Sequence, residues 1–107
     1  MTPTRLERLK DLLKEDPDNS FILFAIAKEY EGLGEKMEAI SLFLALVEKD
    51  AQYVGTYYHL AQLYEETGDS EAALKTYQEG MAIAQAVKDQ HAYSELQNAK
   101  MNLELEI

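Results

Sequence analysis

Few side chains in this sequence have the type and spacing that catalysis or metal binding requires. The two histidines, His59 and His91, lie far apart, and neither has a second histidine three or four residues away on one helical face. Acidic pairs such as Glu65 and Glu66 occur where a solvated helix or turn predicts them, whereas catalytic pairs need a shaped pocket that separates their pKa values. The chain has no cysteine, no Gly-rich phosphate loop, no Gly-x-Ser-x-Gly elbow and no His-Glu-x-x-His. We therefore expect no enzymatic activity, no metal site and no cofactor.

Length and charge narrow the class of protein further. The 107 residues are enough for one domain with one core, and 47% of them are apolar. The net charge is -10, although the first fifteen residues alone are slightly basic, and such a surface repels nucleic acid and anionic lipid. The longest apolar run, Phe21 to Ala27, is far shorter than the roughly 20 residues of a membrane span, and the N-terminus lacks a signal-peptide pattern. We expect a cytoplasmic protein that binds neither nucleic acid nor membrane.

The sequence contains an internal repeat with a period of 34 residues, visible when residues 20–53 are aligned with residues 54–87. Identical residues recur at five offsets and similar ones at others. The identical pairs are Ala27 and Ala61, Tyr30 and Tyr64, Glu31 and Glu65, Gly34 and Gly68, and Ala39 and Ala73.

Each repeat unit predicts two helices. Apolar residues recur at three-and-four spacing before and after a glycine, Gly34 or Gly68, which is suited to the left-handed end of a helix. Small residues allow helices to approach closely beside a large ring, so we expect Ala27 to pack with Phe43 and Ala61 with Tyr77. The second-helix stripes are Ala39, Ile40, Phe43, Leu46 and Val47, and then Ala73, Leu74, Tyr77, Met81 and Ala84.

The segments before and after the two repeat units also predict helices. A capping box at Thr4 to Glu7 opens a helix through about Lys14, with Leu6, Leu9, Leu12 and Leu13 on one face, and Asp18 or Asn19 caps the next helix. A last helix turns Ala92, Leu96, Ala99 and Leu103 inward as a cap. The expected division is a half-unit at 1–16, units at 20–53 and 54–87, and a capping helix at 88–107.

These offsets resemble the tetratricopeptide repeat. Two departures are Ala51, where a proline usually closes a unit, and Gly80, where alanine is commoner. The resemblance implies an all-α, right-handed superhelix of about six helices that holds another polypeptide. The positions that carry it are Leu23, Ile26, Ala27, Tyr30, Gly34, Ala39 and Phe43, and then Tyr57, Leu60, Ala61, Tyr64, Gly68, Ala73 and Tyr77.

In stacked helix pairs the first helices line a concave surface, and their residues outside the core are displayed there. The carboxylate-clamp subtype of the family needs several cations at these offsets, but only Lys28 supplies one, so an acidic C-terminal tail is a disfavoured partner. An apolar segment with basic flanks fits better, because we expect Glu31, Glu65 and Glu66 at one end of the groove and the net charge is -10. The candidate groove residues are Phe21, Phe24, Lys28, Glu31, Tyr58, His59, Gln62 and Glu65.

Two other interpretations of the same residues stay open. Phe21 and Phe24 lie in an apolar run wider than one helical face requires, so either can pack under the N-terminal helix instead. If Phe21, Phe24 and Ala25 are exposed, the patch can instead join two copies of the chain in a homodimer.

Overall fold

The computed structural model describes residues 3–107, which form six α-helices and no β-strand. The all-α class and the number of helices predicted from the sequence are confirmed. The helices are α1 (Arg5–Glu15), α2 (Ser20–Gly32), α3 (Lys36–Lys49), α4 (Gly55–Glu66), α5 (Ser70–Ala86) and α6 (Gln90–Glu106).

Short polar side chains fix where four of the helices begin. Asn19, rather than Asp18, caps α2, because its side-chain oxygen accepts the backbone N–H of Ile22 at 3.0 Å. Thr4, Asp69 and Asp89 cap α1, α5 and α6 through the same three-residue spacing. Gly34 and Gly68 follow α2 and α4 at φ +79° and +85°, in the left-handed region that the sequence predicts for them.

The helices stack in chain order. Each packs against the next, and α4 also contacts α6. One core cluster includes Ala27 and Phe43, and a second includes Ala61 and Tyr77, all four of them fully buried. The small-and-large pairs expected at equivalent repeat offsets therefore share a core cluster in both units.

Helix α1 is covered on one side only. Leu6, Leu9 and Leu13 are half-buried, but Leu12 is 52% exposed, and no residue of α1 is fully buried. Of the four leucines that the sequence places on one face, Leu12 is therefore the one that no helix covers. The stripe is wider than the area that α2, the principal neighbour of α1, can cover.

The turn at Ala51, where the family usually has proline, is held by side chains. The Tyr57 hydroxyl of α4 donates to the Ala51 carbonyl oxygen at 2.6 Å. The Ser20 hydroxyl donates to the Asp50 carboxylate at 2.7 Å, which ties the start of α2 to the end of α3. These two bonds restrain the turn at Ala51, as the ring of a proline at that position would.

Gly80 lies at a close helix approach in the second unit. A Cβ atom there would lie 2.6 Å from Tyr57 Cβ and 3.1 Å from Leu96 Cδ1. Because Tyr57 belongs to α4 and Leu96 to α6, Gly80 brings α5 against both of these helices at once. This close approach explains why a glycine occurs at a position where the family commonly has alanine.

We expect Gly80→Ala to lower the free energy of unfolding by up to about 2 kcal/mol. The overpacking cost, about 1 to 3 kcal/mol, exceeds the gain in helix propensity of about 1 kcal/mol. Urea unfolding followed by circular dichroism measures the change. Gly32→Ala is the control, because a Cβ there has open space, and it should leave stability unchanged or raise it. Equal effects of the two substitutions would contradict the close approach.

Candidate functional site: the first-helix surface

Helices α2, α4 and α6 are the first helices of their units and of the cap, and we call their shared non-core face the first-helix surface. Two links join α2 to α4 here. The Glu31 carboxylate of α2 lies 3.2 Å from His59 Nδ1 of α4, and the Phe24 and His59 rings meet edge to face at 5.4 Å. Two hollows lie on this surface, one beside α2 and one between α4 and α6.

The hollow beside α2, which we call the α1–α2 hollow, has a volume of about 430 Å³. Its lining combines three apolar and three charged side chains. Arg5 of α1 is held at the rim by Glu29, with Nε and Oε1 2.6 Å apart. The lining residues are Arg5, Phe21, Phe24, Ala25, Lys28 and Glu29.

Phe21 and Phe24 have different environments. Phe21 is 69% exposed, whereas Phe24 is half-buried among the rings of Phe43, Tyr53 and His59, at centroid distances of 5.3 to 5.8 Å. Phe24 thus joins the edge of the core and Phe21 does not, although the sequence leaves core packing open for both. Both side chains line the hollow, but Phe24 lies one turn further along α2, where it reaches Phe43 of α3 and His59 of α4.

His59 is half-buried where the two repeat units meet. Its ring stacks on Phe43 at 5.8 Å, and burial lowers the pKa of His59 below its ordinary value of 6.5, although Glu31 opposes the shift. A neutral imidazole donates one N–H to the Glu31 carboxylate. Glu31 therefore pairs with His59 of α4, and not with Lys28 on its own helix as the three-residue spacing allows.

The second hollow, which we call the α4–α6 pocket, has a volume of about 300 Å³. Beneath it the buried Tyr77 hydroxyl of α5 donates to the Glu65 carboxylate, and the Gln62 amide donates to the same hydroxyl at 2.5 Å. Burial and the bond to Glu65 raise the pKa of Tyr77, so the hydroxyl stays protonated. The lining residues are Tyr58, Gln62 and Glu65 of α4 and Glu95, Asn98, Ala99 and Asn102 of α6.

The structure places all eight sequence-predicted groove residues on α2 and α4, four on each. Lys28 is exposed and lies 6.0 Å from the Phe24 ring centroid, whereas Glu31 and Glu65 are half-buried and bonded, not solvated as expected. Sequence reasoning missed Arg5 and the three polar residues of α6. Because Glu95 and Asn98 flank the inward stripe of Leu96 and Ala99, the sequence assigns both to the outward side of the last helix, whereas the structure places them at the pocket.

Neither a metal-ligand cluster nor a membrane-spanning helix occurs within residues 3–107. No three His, Asp or Glu side chains in this range converge as a metal ion requires. In the same range no helix is long and apolar enough to cross a bilayer.

Comparisons with known proteins identify the architecture. The family model for the tetratricopeptide repeat matches residues 54–86. The crystal structure of a tetratricopeptide repeat domain protein from Salinibacter ruber is 41% identical, covers 80% of this chain and 96% of that chain, and has a TM-score of 0.78. The chain belongs to the tetratricopeptide repeat family. The resemblance seen in the repeat offsets is thereby confirmed, as is the superhelical fold.

Two further relatives extend over more of the chain. The solution structure of a Bordetella parapertussis protein is 27% identical, covers 98% of this chain and 91% of that chain, and has a TM-score of 0.86. A tetratricopeptide repeat-containing protein of Pseudomonas aeruginosa is 26% identical over 91 residues, which are 85% of this chain and 87% of that protein. Tetratricopeptide repeat domains are in general non-catalytic scaffolds for protein–protein interaction.

The lowered pKa of His59 predicts a pH dependence of stability. Because the unfolded chain has the ordinary pKa near 6.5, it binds more protons than the folded chain between the two pKa values. The free energy of unfolding should therefore fall as the pH drops below about 6.5, until the folded pKa is passed. The charged groups that act on His59 are Glu31, Lys28 and Glu95.

Urea unfolding of the wild type and of His59→Gln between about pH 5 and pH 8 isolates this contribution from that of the carboxylates. The wild type should lose stability relative to the variant as the pH falls. A constant difference between the two profiles, or a relative gain by the wild type at low pH, would contradict the burial argument.

Proposed function

We propose that this protein is a non-enzymatic scaffold that binds a peptide or helix of a partner protein along the first-helix surface. The observation that carries the proposal is the exposed Phe21 ring at the edge of a hollow of about 430 Å³. An exposed aromatic side chain beside a concavity supplies contact area at low entropic cost. The rigid stack behind it, in which each helix packs on the next, keeps the surface in shape without the partner.

Charge favours a partner with an apolar segment and basic flanks. The chain carries a net charge of -10, and the α4–α6 pocket has two carboxylates and no cation in its lining. The α1–α2 hollow supplies the complementary apolar contact through Phe21, Phe24 and Ala25. Electrostatic complementarity of this kind sets the partner and the association rate more than the affinity. The short surface supports affinities of about micromolar order.

We also propose the division into a half-unit at 1–16, repeat units at 20–53 and 54–87, and a capping helix at 88–107. The pairing of α2 with α3 and of α4 with α5 supports it. The family-model match at 54–86 coincides with the second unit.

Peptides selected from a displayed random library against the immobilised protein provide the probe, and fluorescence anisotropy gives their dissociation constants. Phe21→Ala should weaken binding by about fivefold to thirtyfold, which is typical when a contacting aromatic anchor is truncated. Because Phe21 is exposed, the variant should fold as the wild type does.

Met37→Ala is the matched control. Met37 is 71% exposed, much as Phe21 is, but it lies on the second helix α3, away from the proposed surface. Its truncation should leave the dissociation constants unchanged. Equal weakening by both substitutions, or no effect of Phe21→Ala, would contradict binding at the first-helix surface.

Self-association is a second candidate function, favoured by the same exposed Phe21. In this interpretation a second copy of the chain covers Phe21, Phe24 and Ala25 in a two-fold homodimer. The partner then is the chain itself, and the hollow is already filled in solution.

Sedimentation equilibrium over roughly a hundredfold range around micromolar concentration tests this second candidate. It predicts a dimer for the wild type and for Met37→Ala, and a monomer for Phe21→Ala. Phe21 is a better probe than Phe24, because truncating Phe24 also removes contacts with Phe43, Tyr53 and His59. A monomer in all three proteins would exclude the homodimer.

A further inference from the structure

We infer that the α4–α6 pocket binds the cationic side chain of an arginine or lysine from the partner polypeptide. This inference rests on the proposed function and deepens it, because it names the residue type recognised at one end of the surface. It also replaces an expectation from sequence, in which the acidic end of the groove consists of Glu31, Glu65 and Glu66.

Two of those three carboxylates already contact a basic side chain of another helix. Glu31 lies 3.2 Å from His59 Nδ1, and Glu66 lies 3.7 Å from Lys36 Nζ on α3. Glu65 is different, because it forms no ion pair with a Lys or Arg among residues 3–107, and the hydrogen bonds it accepts from Tyr77 and Gln62 both end on Oε2. Its other oxygen, Oε1, accepts no hydrogen bond from these residues.

Three features of the pocket suit the long cationic side chain of an arginine or a lysine. Glu65 and Glu95 lie on α4 and α6, so carboxylates from two helices line the same volume of about 300 Å³. The Tyr58 ring lines it as well, and aromatic faces attract guanidinium and ammonium groups. Amide oxygens of Asn98 and Asn102 add further acceptors, which a guanidinium with five N–H donors can use.

The acidic wall is held in place before any partner arrives. The Tyr77 hydroxyl, fixed in the core, donates to Glu65, and the Gln62 amide donates to that hydroxyl and reaches Glu65 at 3.5 Å. Holding a carboxylate by neutral donors keeps its charge, whereas an intramolecular lysine would cancel it. A side chain that is already ordered loses less entropy on binding. The Glu95 carboxylate also lies 3.2 Å from Nε2 of His91, which is one turn earlier on α6 and exposed.

The probe is N-acetyl-arginine amide, titrated into the ¹⁵N-labelled protein and followed by heteronuclear NMR. N-acetyl-citrulline amide is the matched ligand, since it has nearly the same shape but no charge. We expect saturable shifts at Tyr58, Gln62, Glu65, Glu95 and Asn98 with the arginine probe, and binding of the citrulline probe at least roughly fivefold weaker.

Protein variants separate the pocket from the overall charge. The double variant Glu65→Gln with Glu95→Gln should weaken the arginine probe at least roughly fivefold, while the amide oxygen introduced at position 65 can still accept the Tyr77 hydroxyl. Glu48→Gln with Glu71→Gln changes the net charge equally at exposed positions on α3 and α5, and it should have no effect. Equal weakening by both double variants, equal binding of the two probes, or shifts located elsewhere would overturn the inference.

The probe also distinguishes this inference from the proposed function. Library peptides that depend on Phe21 but not on a basic residue, together with no arginine binding, would overturn the inference alone. Arginine binding in the pocket, together with selected peptides that contact α3 and α5, would contradict the proposed function alone.

Discussion

Close helix approach at small residues is the constraint on which the rest of the structure depends. Ala27 and Ala61 are fully buried in core clusters that also contain the rings of Phe43 and Tyr77, and Gly80 brings α5 against α4 and α6. Interiors are packed as densely as organic crystals, so such contacts leave little freedom in the spacing of neighbouring helices. With the spacing set, α4 and α6 come into contact and a shared surface results.

The core also reaches into that surface through two polar links. Tyr77 belongs to the buried cluster of the second unit, yet its hydroxyl orients Glu65, and His59 stacks on the core residue Phe43 while it pairs with Glu31. Most buried hydroxyl and imidazole groups have hydrogen-bond partners, and the partners of Tyr77 and His59 are carboxylates of the surface. Packing and recognition are thus connected through the same side chains.

The 34-residue period is sufficient to predict the four helices α2 to α5, the glycine ends of α2 and α4 and the small-and-large core pairs, whereas α1 and α6 follow from the capping box and the apolar stripe of the flanks. It does not predict which neighbour covers the second apolar face of a helix. The exposure of Leu12 and the different environments of Phe21 and Phe24 are therefore seen only in the structure. The period does not extend to α6, because no residue of α6 is identical to the residue 34 positions before it. Glu95 and Asn98 therefore have no repeat offset from which to be assigned, and the sequence shows only the α4 half of the α4–α6 pocket.

The central claim is that a partner polypeptide lies on α2, α4 and α6. Its most direct test is a chemical-shift map of the ¹⁵N-labelled protein saturated with a library-selected peptide. The account predicts that the perturbed backbone amides cluster on the three first helices and leave the exposed positions of α3 and α5 unchanged. Perturbations confined to α3 and α5 would contradict it and would place the interaction on the opposite face of the stack.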